Sequence, residues 1–208
     1  MSVERVPTLS GEESAQPEAD EDFELAELLR EDPVKAAKLL HERFGEEVNR
    51  LVWRLLGADP EHNDIVQQVF LKVLLYGRRL RDSSRLKPWI QSITVNAVYE
   101  ELRRREVRRL FVRDWNPVEF HPDLVREVET RDLLAKAQRL IAQLPANERV
   151  VFTLHFVEDM PLHEIAALCG FSHATAKRRL WAANRRFQAL IAHSPELVRL
   201  LRARERKR

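Results

Sequence analysis

A chain of 208 residues with 35 Lys and Arg against 33 Asp and Glu carries a net charge of only +2, a size that supports one large domain or two small ones. Its single cysteine excludes an intramolecular disulfide and suits a reducing, cytoplasmic setting. No apolar run approaches bilayer length, which argues against membrane insertion, and the acidic N-terminus has no signal-peptide core.

The near-neutral sum hides a segregated distribution. Residues 1–32 are rich in Asp and Glu with few apolar anchors, and are predicted to be an acidic, disordered extension. Within it, Phe23, Leu25, Leu28 and Leu29 could form a short helical turn before Pro33. Such a segment could fold back and screen basic surfaces elsewhere.

Residues 33–110 read as a first helical domain. Ala37, Phe44, Val48, Leu51 and Leu55 recur at helical spacing as far as Gly57. His41 lies on that stripe and reads as a packed core histidine, since no second ligand stands at metal spacing. A second helix starts after Asn63 or Asp64 and runs to about Tyr76, its apolar run interrupted by Gln67, Gln68 and Lys72. A basic loop follows, with Arg78, Arg79, Arg81, Arg85 and Lys87 among small polar residues. Pro88 suits the first turn of the next helix, which runs from Trp89 to about Leu110 with Trp89, Ile90, Ile93 and Ala97 on one side. That helix closes on Arg103-Arg104-Arg105 and Arg108-Arg109. Cations favour a helix C-terminus, yet this run exceeds what a cap requires, and with the loop it makes a basic patch.

Pro117 and Pro122 break the pattern in residues 111–130, read as an interdomain linker. A second domain spans 131–193. It begins with Leu133, Leu134, Ala137, Leu140, Ile141 and Leu144 at helical spacing. Helices over Leu144–Val157 and Pro161–Leu168, a turn at Cys169–Ser172 and a basic helix from His173 then make a helix-turn-helix without a wing. On the last helix Ala176, Leu180, Ala183 and Phe187 form the buried stripe. Lys177, Arg178, Arg179, Arg185 and Arg186 occupy the rest with no carboxylate among them, a one-sided footprint for DNA. Residues 194–208 read as a basic, solubilising tail. Strand signals are weak throughout, so the expected class is all-α, two small helical domains joined by a linker.

Both halves together resemble bacterial RNA polymerase sigma factors of the extracytoplasmic-function class, over residues 35–110 and 131–190. In the first half the likeness rests on Asp64-Ile65-Val66-Gln67-Gln68-Val69-Phe70, on Pro88–Ala97 and on Glu100-Glu101-Leu102-Arg103-Arg104. In the second it rests on Leu144-Pro145, Glu148-Arg149, Leu162–Ala166 and Thr175–Leu180. The resemblance implies a first domain that binds the clamp helices of core polymerase through Asp64, Gln67, Gln68, Phe70 and Lys72. It implies capture of the melted non-template strand of the minus-ten element by Arg78, Arg79, Arg81, Arg85, Lys87, Trp89, Asn96, Arg103 and Arg104. It implies major-groove contact at the minus-thirty-five element by His173, Thr175, Lys177, Arg178, Arg179, Arg185 and Arg186, with the same domain on the polymerase flap. Trp89 can serve as a stacking platform for an unstacked base or as a core residue, and its spacing favours the core. An anti-sigma factor is a family expectation, as is a monomer outside the holoenzyme. The chain departs from the family pattern at Thr94, Ala174, Ala176 and Trp181, where alanine, glycine, valine and a smaller polar or imidazole side chain are usual.

An enzyme reading has little support. His163-Glu164 lacks the second histidine of a zinc motif, there is no glycine-rich phosphate loop, and Cys169 reads as a small apolar residue of the turn. No cofactor or metal is implied. A dimeric repressor would explain the second domain but leave the first domain's basic loop without a task. A regulatory adaptor with a degenerate helix-turn-helix is the remaining alternative, suggested by Ala176 and Ala182.

Overall fold

Asp and Glu are tolerated in a helix when leucine and alanine supply a face to bury, and the acidic N-terminal stretch behaves accordingly. In the computed structural model, which describes residues 15–111, 128–192 and 194, Ala15–Glu31 forms helix α1. Leu25, Ala26 and Leu29 are buried at 5, 0 and 0% exposure. The expected disorder of residues 1–32 therefore does not extend to α1; residues 1–14 lie outside the described part. The short helical turn expected at Phe23–Leu29 is the C-terminal part of a longer helix, whose stripe is too short to show its full extent until it packs on a neighbour.

Asp32 ends α1 and caps the next helix, its carboxylate accepting from the Lys35 amide at 3.1 Å ahead of Pro33. Helix α2, Pro33–Leu56, buries Ala36, Leu40, Phe44, Val48, Leu51, Val52, Leu55 and Leu56 and stops at Gly57, whose φ of 72° favours glycine. His41 is a correction: its side chain is exposed, with its ring 5.4 Å from that of Phe70. Helix α3, His62–Tyr76, buries Ile65, Val69 and Val73. Short 3-10 turns at Gly77–Arg79 and Ser83–Arg85 carry the basic loop into α4, Leu86–Phe111. Thr94 is fully buried in α4, its hydroxyl donating to the Ile90 carbonyl at 2.9 Å. That bond satisfies a hydroxyl that would otherwise be buried without a partner.

Helix α1 fixes the loop. A Cβ on Gly77 would come within 3.1 Å of the Leu29 Cβ, so the backbones meet because residue 77 has no side chain. Arg30 donates to the Leu80 carbonyl at 2.9 Å and to the Ser83 hydroxyl at 3.2 Å.

The second half contains α5 (Val128–Ile141), α6 (Ala146–Phe156), α7 (Leu162–Leu168) and α8 (His173–Ile191). No strand occurs among the described residues, in keeping with the all-α class. The expected linker lies mostly outside them. The two halves do not stand apart: α6 and α7 pack on α4. Val150, Val151, Leu154 and Ile165 join the same buried cluster as Val95, Val98 and Leu102. Arg54 pairs with Glu158 at 2.5 Å, Ser92 donates to the Leu168 carbonyl at 3.1 Å, and Tyr99 meets Phe171 edge-on.

Since Leu29 is fully buried against Gly77, Leu29→Ala should cost about 2–5 kcal/mol in urea unfolding. Deleting residues 1–32 should likewise lower the unfolding midpoint, because it removes the whole of α1. An unchanged midpoint in either would show that α1 is dispensable.

Candidate nucleic-acid and polymerase interfaces

The helix-turn-helix is built from three small devices. Gly170 takes φ 66° after α7. Ser172 caps α8 by accepting from the Thr175 amide at 3.2 Å. Ala176 and Ala183, both at 0% exposure, let α8 lie close on α6 and α7. Opposite them Ala174, Lys177, Arg178, Trp181, Arg185 and Gln188 are all exposed and share one face at helical spacing.

The cations predicted for DNA contact do not all reach that face. His173, Lys177, Arg178 and Arg185 are exposed. Thr175 is half-buried, its hydroxyl 2.9 Å from that of Ser172. Arg179 turns inward, its guanidinium 3.8 Å from the centre of the Phe171 ring, and Arg186 pairs with buried Glu148 at 2.9 Å. The sequence could not separate these roles because all are basic residues on one helix.

In the first half Arg78, Arg79, Arg81 and Arg85 are exposed, and all but Arg78 line a cleft of about 600 Å³, with Arg79 stacked on Tyr76 at 4.8 Å. Trp89 is half-buried, packing on the core while lining this cleft. Lys87 pairs with Glu47 at 3.2 Å. Asn96, Arg103 and Arg104 are exposed, Arg104 while bound to Glu101. Met160, Glu164 and Leu168 form the far wall of the cleft, so the second half borders it.

The α4 arginines are a mixed group. The Arg105 side chain is only 12% exposed, bonded to Asp59, to Glu61 at 2.9 Å and to Glu101 at 2.7 Å. Arg108 also reaches Glu101, at 2.9 Å. Burial alone would raise the Asp59 carboxyl, but hydrogen bonding and charge from Arg105 prevail and hold it below 3.8. The hydrogen bond from Arg105 likewise holds Glu61 below 4.5. Burial lowers His62 from 6.5, only partly offset by the Asp59 charge. Arg105 is an internal cation, and the basic patch read from sequence is correspondingly smaller.

On α3, Asp64, Gln67 and Gln68 are exposed on one face with Leu71 at 58% and Leu75 at 73% exposure. Phe70 is half-buried against His41, and Lys72 bonds Glu100 at 2.7 Å, so both lean away from that face. Sequence reasoning selects the glutamines and misses the leucines, because an apolar residue in an apolar run reads as core. Cys169 is pushed up to about 12 by burial, which leaves a thiol at neutral pH and no nucleophile. Among the described residues no group of side chains could hold a metal, and no helix is long and apolar enough to cross a membrane.

Comparison with known proteins shows the family. The Sigma-70 region 2 family matches residues 40–108 and the Sigma-70, region 4 family matches 134–183, together more than half of the chain. RNA polymerase sigma factor SigV of Bacillus subtilis (strain 168) is 28% identical over 134 residues, 64% of this chain and 78% of that protein. The sigma factor RpoE from Bartonella quintana, solved with the anti-sigma factor NepR, aligns with TM-score 0.58 and 22% identity over 77% of this chain and 99% of RpoE. CnrH, solved with the cytosolic domain of CnrY, aligns with TM-score 0.57 and 21% identity over 84% of this chain and 99% of CnrH. The fold and the two family matches, in this order on one chain, are those of a two-part transcription initiation factor. The chain belongs to the sigma-70 family, within the extracytoplasmic-function class, and directs transcription initiation at promoters.

Removing Arg105 strands buried carboxylates, so Arg105→Ala should cost about 3–5 kcal/mol. Exposed Arg103→Ala should stay within about 0.5 kcal/mol. Equal effects in urea unfolding would refute the internal role. The depressed values also set an acid dependence. Stability should be complete above pH 6.5, begin to fall below it as His62 takes up a proton more readily in the unfolded chain, and fall further below pH 4.5 and 3.8 as Glu61 and Asp59 do the same. An unfolding midpoint that stays flat as the pH is lowered through these three values would contradict this.

Proposed function

We propose a division of labour among the surfaces of this initiation factor. The α3 face of Asp64, Gln67, Gln68, Leu71 and Leu75 docks on the clamp helices of core polymerase, with Phe70 and Lys72 bracing it. Exposed leucines beside polar groups suit a protein interface better than a free surface. The loop cations Arg78, Arg79, Arg81 and Arg85, with Lys87, Trp89, Asn96, Arg103 and Arg104 beside them, take the melted non-template strand of the minus-ten element. Cations hold the phosphates there, and Trp89 offers a ring for an unstacked base. Helix α8 enters the major groove of the minus-thirty-five element, with His173, Lys177, Arg178 and Arg185 toward DNA. Thr175, Arg179 and Arg186 hold the helix in position. The rest of the second unit meets the polymerase flap.

The observation that carries this reading is the pairing, on one chain, of an exposed helix face on α8 that bears only cations among its charges with a separate cleft into which the loop arginines Arg79, Arg81 and Arg85 converge at the start of α4. A dimeric repressor or an adaptor needs only the first. The solved relatives RpoE and CnrH were captured with NepR, an anti-sigma factor, and with the cytosolic domain of CnrY. By analogy, control of this chain by a protein that covers its polymerase-binding face is part of the proposal. The chain acts as a cytoplasmic, non-enzymatic factor, monomeric outside the holoenzyme.

In vitro transcription with core polymerase on a genomic template library should yield discrete start sites that share two upstream elements. A stable dimer on palindromic DNA, with no stimulation of polymerase, would overturn the proposal. Lys177→Ala with Arg178→Ala should abolish minus-thirty-five-dependent transcription and spare core binding. Leu71→Ala with Gln68→Ala should weaken polymerase pull-down markedly, and normal recovery of polymerase would remove α3 from the interface.

A further inference from the structure

Trp181 has no evident reason to be where it is. It sits midway along α8 at 64% exposure, whereas the buried residues Ala176 and Ala183 of that helix lie on the opposite side. It lies at the centre of the outward face, one turn after Lys177 and Arg178 and one turn before Arg185. The Arg185 guanidinium lies 5.2 Å from the centre of its ring. Such a contact orients the indole and occupies one face of it. Ala174, one turn before Lys177 and Arg178, adds no bulk to that face, so the indole is its largest apolar projection.

An exposed indole contributes little to the folded chain, so its worth lies in what covers it. The surrounding charge indicates the cover. Lys177, Arg178 and Arg185 flank the ring, and no carboxylate occurs anywhere on α8. A polyanion is attracted to this face, and an acid-poor protein surface is not. An indole carries one N–H donor on a large apolar body. The major groove presents a single apolar feature, the C5 methyl of thymine.

We propose that Trp181 is a specificity-determining residue whose indole packs on a thymine C5 methyl in the upstream promoter element. Flanking Lys177, Arg178 and Arg185 hold the adjacent phosphates. The inference rests on α8 being the upstream DNA-reading helix and adds to it a base-pair preference, A·T, at the position facing the middle of α8. Lys177 and Arg178 supply affinity that falls with salt, and Trp181 supplies discrimination that does not.

Deoxyuridine in place of thymidine removes that methyl and nothing else. Holoenzyme assembled from core polymerase and the full chain is titrated onto the selected promoter, with each thymine of the upstream element replaced in turn by deoxyuridine. One position should weaken wild-type binding about fourfold, the worth of one buried methyl. The same replacement should change nothing for Trp181→Ala, while Trp181→Phe should retain most of the effect. Trp181 is exposed, so its removal should leave the unfolding midpoint unchanged. Deoxyuridine effects equal in wild type and Trp181→Ala, with the upstream element still required, would overturn the role of Trp181 and leave the role of α8 standing. So would weaker assembly of Trp181→Ala with core polymerase unaccompanied by any deoxyuridine effect, since the indole would then serve a protein contact. Wild-type holoenzyme indifferent to a scrambled upstream element would instead remove the DNA-reading role of α8, and the proposal with it.

Discussion

Arg105 holds the first unit together where three segments meet. Its guanidinium joins Asp59 in the turn after α2, Glu61 at the start of α3 and Glu101 one turn earlier on α4. A buried cation without these partners would cost several kcal/mol in lost hydration. Arginine suits the position because its planar fork of donors can serve several carboxylates at once, where a lysine ammonium offers a single point charge. The Asp59 carboxylate also feels the charge of Arg149 on α6, so the cluster lies at the seam between the two halves. The packing of α2, α3 and α4, and through it the presentation of the α3 face and the loop cleft, depends on this cluster.

Around it, the many arginines sort by what lies beside them. Where a carboxylate is in reach and the side chain is largely buried, as for Arg54 and Arg105, the cation serves internal structure, while Lys87, Arg104 and Arg186 pair with a carboxylate and stay exposed. Where an aromatic ring is in reach, as for Arg79, Arg179 and Arg185, the guanidinium is oriented by stacking. Those that remain outward, including Lys177, Arg178 and Arg103, are hydrated and can exchange water and counterions for phosphate oxygens. The small net charge of +2 therefore says little about nucleic-acid affinity, since many of the acids lie on α1 and in internal pairs.

The packing of the halves bears on how the proposed function proceeds. Glu164, Leu168 and Met160 from the second half wall the cleft that holds Arg79, Arg81 and Trp89. A single strand entering that cleft in the proposed manner meets α7 beside it. The ties between halves are a few polar contacts, such as Arg54–Glu158 and Ser92 to Leu168, laid over a shared apolar seam. Seams of this mixed kind resemble interdomain contacts that open when a partner offers a better surface.

Most of the fold was legible in the sequence because the signals are local. The helical stripes of α2 and α8, the proline and glycine boundaries and the serine cap of the turn each act within a few residues of themselves. The order of the two motif sets carried the family resemblance. Three matters were not legible, for one shared reason. Whether Ala15–Glu31 is disordered or a scaffold depends on Gly77, far along the chain, having no side chain to hold it off. Whether an arginine is a ligand for DNA or a partner for Asp59, Glu101 or Glu148 depends on which carboxylates the fold brings within reach. Whether a leucine on α3 or a tryptophan on α8 is core or surface depends on which face has a neighbour. The sequence by itself determined the helices, their order and the family they spell. Only the tertiary structure decided which charges are internal and which apolar residues are left outward, because burial and pairing are properties of neighbours distant in sequence.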